Sequence, residues 1–264
     1  MKIIRNIIVS FSLFSRIPMP HFEWKEDDTK YAISFLPLIG LVIGAIEYLA
    51  IYYSTVSNLP LFVKALIWIL IPLVITGGFH VDGFMDVEDA FNSFKPKEEK
   101  LDILKDPHVG AFSVISLAMY GISYLALIYY SFFSIENIKP EDIWRKILPL
   151  CLGFSLVRGI AALTSIHLKH AKSSGMLHEE TKSVGIISTV ILVLEIVIIL
   201  GIMLWCDPAY SLVFISVEAI FLLWYRTKCN REFGGVTGDT TGYFIVVSEL
   251  LVVLAEAVLV FWGA

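Results

Sequence analysis

The sequence predicts an all-α fold: a polytopic integral membrane helical bundle of about seven transmembrane helices, preceded by a short or interfacial N-terminal helix. Hydrophobic residues make up 57% of the 264 residues, and the mean hydropathy is +0.76. Several apolar runs approach the ~20 residues with which a helix crosses a bilayer. A soluble domain of this length needs far more polar surface to cover its core, so the composition argues against that class.

The elements follow in order along the chain. The opening segment, MKIIRNIIVSFSLFSRIPMP, has a basic flank and a short apolar stretch, but Arg16 interrupts it and no cleavage site of small residues follows. We therefore expect a retained short helix rather than a signal peptide. Seven apolar runs of spanning length come next, at about 31–53, 60–79, 110–134, 143–166, 184–205, 209–225 and 242–263. This pattern predicts one membrane domain over 1–264, with its motif-bearing polar loops at 77–109 and 226–241.

Basic residues are distributed unevenly between the two sides of the predicted bundle. Lys and Arg concentrate in the N-terminal segment and in the loops after the second, fourth and sixth runs. The opposite loops, near 54–59, 135–142 and 206–208, carry only Lys139. The positive-inside rule then places the N-terminus in the cytoplasm. Because every long polar loop shares that side, we expect a multi-pass protein whose active site faces the cytoplasm.

An acidic stretch follows the second run, where residues 77–92 read GGFHVDGFMDVEDAFN. If residues 81–91 are helical, Asp82, Asp86 and Asp89 lie at i, i+4 and i+7, within an arc of roughly 60°. Three carboxylates with no Lys or Arg in the stretch repel each other unless a cation lies among them. Oxygen ligands suit Mg²⁺ or Mn²⁺. The pattern favours a metal site, and the alternative is an acidic, solvated helix end.

Glycines and further acids accompany this stripe. Gly77, Gly78 and Gly83 would let a backbone or a diphosphate approach closely. Asp106 in LKDPHVGAF and Asp239 in FGGVTGDTTG come directly before the third and seventh runs. We expect these acids to gather at the same end of the bundle as the stripe.

Several other groups have two interpretations each. Glu249, two to three turns into the seventh run, is either functional or a buried hydrogen-bonding acid. Arg158, deep in the fourth run, either forms a structural ion pair or clamps phosphate oxygens. His80 and His108 either support the structure or assist proton transfer. Glu88 falls off the stripe and is expected to be solvated or to support a ligand. The remaining basic residues expected nearby are Arg16, Lys105, Lys169 and Lys172.

Carboxylates for a divalent ion, glycine-lined loops and an intramembrane arginine together favour transfer chemistry on a diphosphate. The sequence contains no Ser-His-Asp pattern, P-loop or nicotinamide fingerprint. Cys151, Cys206 and Cys229 lack metal-ligand spacing and are expected to be free thiols.

Five segments resemble, in the same order, the motifs of the cobalamin synthase family, the adenosylcobinamide-GDP ribazoletransferases: FSLFSRIPMP, SFLPLIGLVIG, GGFHVDGFMDVEDAFNS, LKDPHVGAF and GGVTGDTTG. The resemblance covers essentially the whole chain. It implies a Mg²⁺-dependent enzyme of the prokaryotic cytoplasmic membrane that joins α-ribazole, or its 5′-phosphate, to adenosylcobinamide-GDP and releases GMP, late in vitamin B12 assembly. As partners it implies these small molecules, the lipid bilayer, and a homo-oligomer or other cobalamin-pathway enzymes, with no nucleic acid.

Site residues follow from matching the motifs. The metal and the diphosphate are assigned to Asp82, Asp86, Asp89 and Asp106. Catalysis is assigned to the first three of these and to Asp239. Substrate binding is predicted for Arg16, Gly78, His80, Gly83, Lys105 and Arg158. In HAKSSGML, Lys172 stands where the family has an arginine, which argues against a bidentate phosphate contact there.

Two rival functions remain open from the residues alone. Another Mg²⁺-dependent membrane transferase, of the CDP-alcohol phosphotransferase or prenyltransferase type, would also use an Asp-rich helix, although the D-x-x-D-G-x-x-A-R pattern of the former is absent. A cation-coupled transporter would use acids within the spans as its ion path. We find no internal repeat that would support two related halves. The acids that a transporter would use are Glu47, Glu195, Glu218, Glu249 and Glu256.

Overall fold

The computed structural model describes residues 2–24, 31–133, 135–136, 138–139, 141–171, 177, 181 and 184–263, so Lys172 lies outside the described part of the chain. Within that part the regular structure is helical, which confirms the predicted all-α class. A short 3-10 turn, Ala32–Phe35, precedes the second helix. The α-helices are α1 (Lys2–Phe14), α2 (Leu36–Val56), α3 (Leu61–Thr76), α4 (Phe79–Asn92), α5 (Lys97–Ile103), α6 (Ala111–Phe133), α7 (Ile143–His167), α8 (Ile186–Cys206), α9 (Pro208–Glu232) and α10 (Gly238–Trp262).

Six helices of the described chain are long and apolar enough to span a membrane: the 3-10 turn continued by α2, and α6 to α10. Helices α3 and α4 pass the same test only as a pair bent by 95°, which gives up to 7 spans. The structure therefore supports the predicted multi-pass bundle. We treat α4 as lying outside the spanning helices, because it turns away from α3 and carries four carboxylates.

The bend divides the apolar run predicted at 60–79. Helix α3 ends at Thr76, and the next two residues, Gly77 and Gly78, have φ angles of 65° and 78°. Only glycine adopts this left-handed region at little cost. Phe79, the last residue of the predicted run, therefore begins α4 instead of ending a straight span.

The spanning helices form a central group and an outer group. In α7 and α10, 78% and 61% of the residues in the apolar stretch of the helix are buried. In α6, α8 and α9 the buried share of that stretch is only 17%, 22% and 28%. The outer helices expose large apolar side chains, such as Ile122 and Ile220 at 71% and 69% exposure. An apolar surface of this extent is expected to face the lipid of a membrane.

Helices α2 and α7 pack together through glycine. A Cβ atom at Gly40 or Gly44 of α2 would overlap the backbone of Phe154 or Cys151 in α7. Close approach of two backbones through small residues is typical of membrane helix pairs. The hydroxyl of Ser155 donates a hydrogen bond of 2.9 Å to the carbonyl of Pro37 across this contact.

Two helix boundaries differ from the sequence prediction near the acidic motifs. Helix α9 continues beyond residue 225 to Glu232. Helix α10 begins at Gly238, because Thr237 and Thr240 form a reciprocal capping box. Asp239 therefore lies in the first turn of α10 and not before the helix. Helix α5, which the sequence analysis did not predict, lies within the loop expected after the acidic stretch.

Candidate active site

Arg16 lies against the bend between α3 and α4. Its backbone N–H donates a 2.7 Å hydrogen bond to the carbonyl of Ile75. Its exposed side chain crosses Gly77 so closely that a Cβ atom there would overlap the Arg16 Cγ and Nε atoms. A Cβ atom at Gly78 would meet no heavy atom within 4 Å, so this glycine borders open space. Gly77 thus allows the Arg16 side chain to pack against the backbone, whereas the space beside Gly78 is unoccupied by other described residues.

Glycines also bring α4 and α10 into backbone contact. A Cβ atom at Gly83 would lie 2.9 Å from the carbonyl oxygen of Asp239, and one at Gly242 would lie 2.9 Å from that of His80. Contacts below 3.0 Å are not tolerated by a real Cβ atom, so both positions require glycine at this spacing. The close approach predicted at Gly83 is therefore an approach of the Asp239 backbone. It joins the two glycine-rich acidic motifs, which are far apart in sequence.

The predicted acidic stripe meets Asp239 at this contact. Burial, followed by the negative charges of Asp82, Asp239 and Asp89 in that order, raises the pKa of Asp86 to about 6. The contributions of these charges require the four carboxylates to lie near one another. The structure therefore brings together the four acids to which the sequence analysis assigned catalysis.

The third member of the stripe, Asp89, faces the start of α6. The backbone N–H of Ser113 donates to its carboxylate at 3.3 Å, and a Cβ atom at Gly110 would overlap that carboxylate. Glu88 lies off the stripe, as the helical spacing predicts. It accepts hydrogen bonds from the Ser116 hydroxyl at 2.9 Å and the Asn92 amide at 3.2 Å.

Asp106 lies in the exposed loop between α5 and α6. Its carboxylate accepts the backbone N–H of His108 at 3.0 Å and contacts the His108 ring Nδ1 at 2.6 Å. These hydrogen bonds lower the pKa of Asp106. Lys105 is exposed and pairs with Asp102 at 2.8 Å. The loop reaches the stripe through the contact of Gly110 with Asp89, whereas the Asp106 carboxylate is engaged with His108.

Arg158 is 1% exposed and lies in the interior between α7 and α10. One terminal guanidinium nitrogen is 2.9 Å from the Glu249 carboxylate, and the other donates to the carbonyl of Phe154 at 3.0 Å. Of the two interpretations of Arg158 and Glu249, the structure thus finds the ion pair, and a phosphate contact stays a prediction. His80 is also buried, and its Nδ1 has no hydrogen-bond partner among the described residues.

The donor set fits a hard divalent cation in its chemistry. Asp82, Asp86, Asp89 and Asp239 offer only carboxylate oxygens, and their mutual repulsion is of the kind that a cation relieves. Among the described residues, however, no three His, Cys, Asp or Glu side chains are spaced to hold a metal ion. The four acids thus lie in one region, but their carboxylates are not arranged in this structure as the ligands of a single ion.

Sequence reasoning missed an ion pair at the same end of the bundle. Lys100, which belongs to a loop noted only for its basic charge, is buried against Glu232 at the end of α9. Its signal in the sequence is the amphipathic spacing of Lys100, Leu101 and Leu104, which predicts a short packed helix.

Comparison with known proteins identifies relatives over nearly the whole chain. The model of the family described as cobalamin-5-phosphate synthase matches residues 6–257. The chain is 34% identical to the adenosylcobinamide-GDP ribazoletransferase of Lachnoclostridium phytofermentans, over 99% of this chain and 98% of that protein. It is 36% identical to the protein of the same name from Clostridium botulinum strain Eklund 17B, over 95% of this chain and 96% of that protein. No solved structure matches. With matches over nearly its whole length, the chain belongs to the cobalamin-5-phosphate synthase family.

Proposed function

We propose that this protein is an adenosylcobinamide-GDP ribazoletransferase. It joins α-ribazole, or its 5′-phosphate, to adenosylcobinamide-GDP, releases GMP and forms adenosylcobalamin, or its 5′-phosphate. Family membership over almost the whole chain supports the reaction. The structural observation that supports the site is the gathering of Asp82, Asp86 and Asp239 where α4 and α10 touch.

The reaction exchanges one phosphoryl bond for another. A ribose hydroxyl oxygen of α-ribazole attacks the phosphorus that carries the cobinamide aminopropanol. The bond from that phosphorus to the bridging oxygen breaks, and the bridging oxygen leaves with GMP. The hydroxyl proton passes to a carboxylate. Asp239 is better placed for this than Glu249, because Glu249 is held in the buried ion pair with Arg158.

The charged side chains have distinct roles in this proposal. Asp82, Asp86 and Asp89, with Asp106 from the neighbouring loop, would hold Mg²⁺. The ion would supply positive charge to the diphosphate oxygens. Arg16 contacts phosphate oxygens from the bend, where its side chain is exposed. The acidic end faces the cytoplasm, where nucleotide substrates are available.

The test measures GMP release by purified full-length protein from adenosylcobinamide-GDP and α-ribazole. It compares Mg²⁺ with EDTA, and wild type with Asp82→Asn. The control is Glu98→Gln, which removes an exposed carboxylate from nearby α5. We expect GMP only with the metal, a loss of at least about 100-fold in Asp82→Asn, and no loss in the control. Folded wild-type protein that releases no GMP would exclude the reaction, and release that persists in EDTA would exclude the metal requirement.

A further inference from the structure

Lys100 has an unusually buried side chain for a lysine in a short surface helix. Helix α5 has 7 residues, and the Lys100 side chain is only 6% exposed. Lysine is almost never buried in this way unless it is paired. Its Nζ lies 2.5 Å from Glu232 at the far end of the sequence, on the last turn of α9.

Glu232 is the centre of a group of charges. One carboxylate oxygen of Glu232 pairs with the Lys100 ammonium. The other lies 2.9 Å from the Arg231 guanidinium and 3.4 Å from the Lys228 ammonium. The Glu232 side chain is 15% exposed. A carboxylate that is largely withdrawn from water and shared among three cations has a geometry that a mobile surface pair lacks.

Aromatic rings extend this contact to α4 and α10. The Lys228 ammonium lies 4.6 Å from the Phe91 ring centre, a cation–π arrangement. Phe91, near the end of α4, stacks on Phe233 at 5.4 Å and meets the edge of Tyr243 in α10 at 5.6 Å. We call Lys100, Glu232, Lys228 and Phe91 the α5 latch.

The α5 latch holds the chain on both sides of the acidic site. From α5 the chain runs into the loop at 104–110, which carries Asp106 and packs on Asp89. From Glu232 it runs through Gly234 and Gly235 into the first turn of α10, which carries Asp239. The four latch residues lie in α4, α5 and α9, so release of the latch frees the loop without unpacking the central helices α7 and α10.

We propose that Lys100 and Glu232 are positioning residues: their ion pair holds the loop at 104–110, which carries Asp106 and contacts Asp89 through Gly110, beside the acidic stripe so that the site binds its diphosphate substrate. The proposal rests on the proposed function for its kinetic consequence. Its structural part, the holding of the loop, is measured independently of activity.

The test uses full-length protein with Lys100→Met, Lys100→Arg and Glu232→Gln. The control is Lys95→Met, since Lys95 is 51% exposed and pairs only weakly with Glu99 at 3.5 Å. Hydrogen exchange of the amides in 104–110 reports the loop, and exchange in α7 and α10 reports the fold. The KM for adenosylcobinamide-GDP and kcat for GMP release report the site.

We expect Lys100→Met and Glu232→Gln to speed exchange in 104–110 at least about tenfold and to raise KM by a similar factor, with α7 and α10 unchanged. Lys100→Arg keeps both the exchange rate in 104–110 and KM near the wild-type values, because it keeps the positive charge. Unchanged exchange in 104–110 would overturn the proposal, and so would faster exchange without a rise in KM. Wild-type protein that releases no GMP would refute the proposed function and with it the positioning role, and the exchange data would then decide only whether the latch holds the loop.

Discussion

Arg158 and Glu249 form an ion pair of 2.9 Å in the interior of the bundle, joining the two central helices α7 and α10. With side-chain exposures of 1% and 9%, both charges are largely withdrawn from water. A buried charge that loses its partner is costly, whereas replacing both partners by apolar side chains is much less so.

The first prediction concerns this pair. Arg158→Met and Glu249→Met should each lower the free energy of unfolding by about 3–5 kcal/mol, and the double variant should lower it by less than the sum. Denaturation in detergent measures all three. Arg226→Met, at an exposed position of α9, is the control and should change little. Additive effects of the two changes would mean that the charges do not depend on each other.

The second prediction concerns the pH dependence that Asp86 gives to the protein without metal. An acid whose pKa is higher in the folded state than in the unfolded chain binds its proton more tightly when folded. The folded state therefore loses stability as pH rises between the two values, and the loss is complete above the higher one. For Asp86 this window runs from 3.8 to about 6.

Asp86→Asn should therefore become more stable relative to wild type as pH rises through that window, and should also lose GMP release. Thermal denaturation in EDTA at a series of pH values measures the first effect. Glu98→Gln, at an exposed position of α5, is the control for removal of a carboxylate. A constant difference between Asp86→Asn and wild type from pH 4 to 7 would contradict the crowding of carboxylates around Asp86.

The third prediction concerns the contact between α4 and α10. Gly83→Ala and Gly242→Ala each place a Cβ atom 2.9 Å from a carbonyl oxygen of the other helix. The strain should lower the free energy of unfolding by about 1–3 kcal/mol and reduce GMP release, because Asp239 moves relative to Asp86. Gly201→Ala in α8 is the matched control, since a Cβ atom there meets nothing within 4 Å. It should be neutral or slightly stabilising, because alanine favours the helix.

The fourth prediction separates the two glycines of the bend. Gly77→Ala and Gly78→Ala both force a left-handed φ on alanine, at a cost of about 1–3 kcal/mol each. Only the change at Gly77 also displaces the Arg16 side chain. Gly77→Ala should therefore destabilise more than Gly78→Ala in thermal denaturation. Equal losses would show that the Arg16 side chain does not rest on Gly77.

Apolar run length predicted most of the bundle, because the requirement to cross lipid leaves few solutions for a chain. It did not reveal the bend, since the run at 60–79 stays apolar up to Phe79 and the paired glycines also fit a loop. The end of α9 was placed too early for a related reason. From Arg226 onward the helix is polar, so hydropathy stops there while the backbone continues.

The candidate site was predictable where helical spacing decides it. The spacing of Asp82, Asp86 and Asp89 fixes their common direction, and Asp239 was placed at the same end by its position beside a span. Pairings across the fold were not predictable. The sequence offered Arg158 several acids near the same end of the bundle as partners, and only packing selects Glu249. Lys100 and Glu232 are separated by 132 positions, so no local pattern joins them.

The division between central and outer helices sets which positions are free to vary. On the outer faces of α6, α8 and α9, most side chains have lipid rather than a particular protein neighbour around them, so one apolar side chain can replace another there. At Gly40, Gly44 and Arg158, one particular neighbour determines the residue. Descendants of one ancestor can therefore diverge widely over the lipid-facing surface while the interior and the acidic end remain nearly fixed.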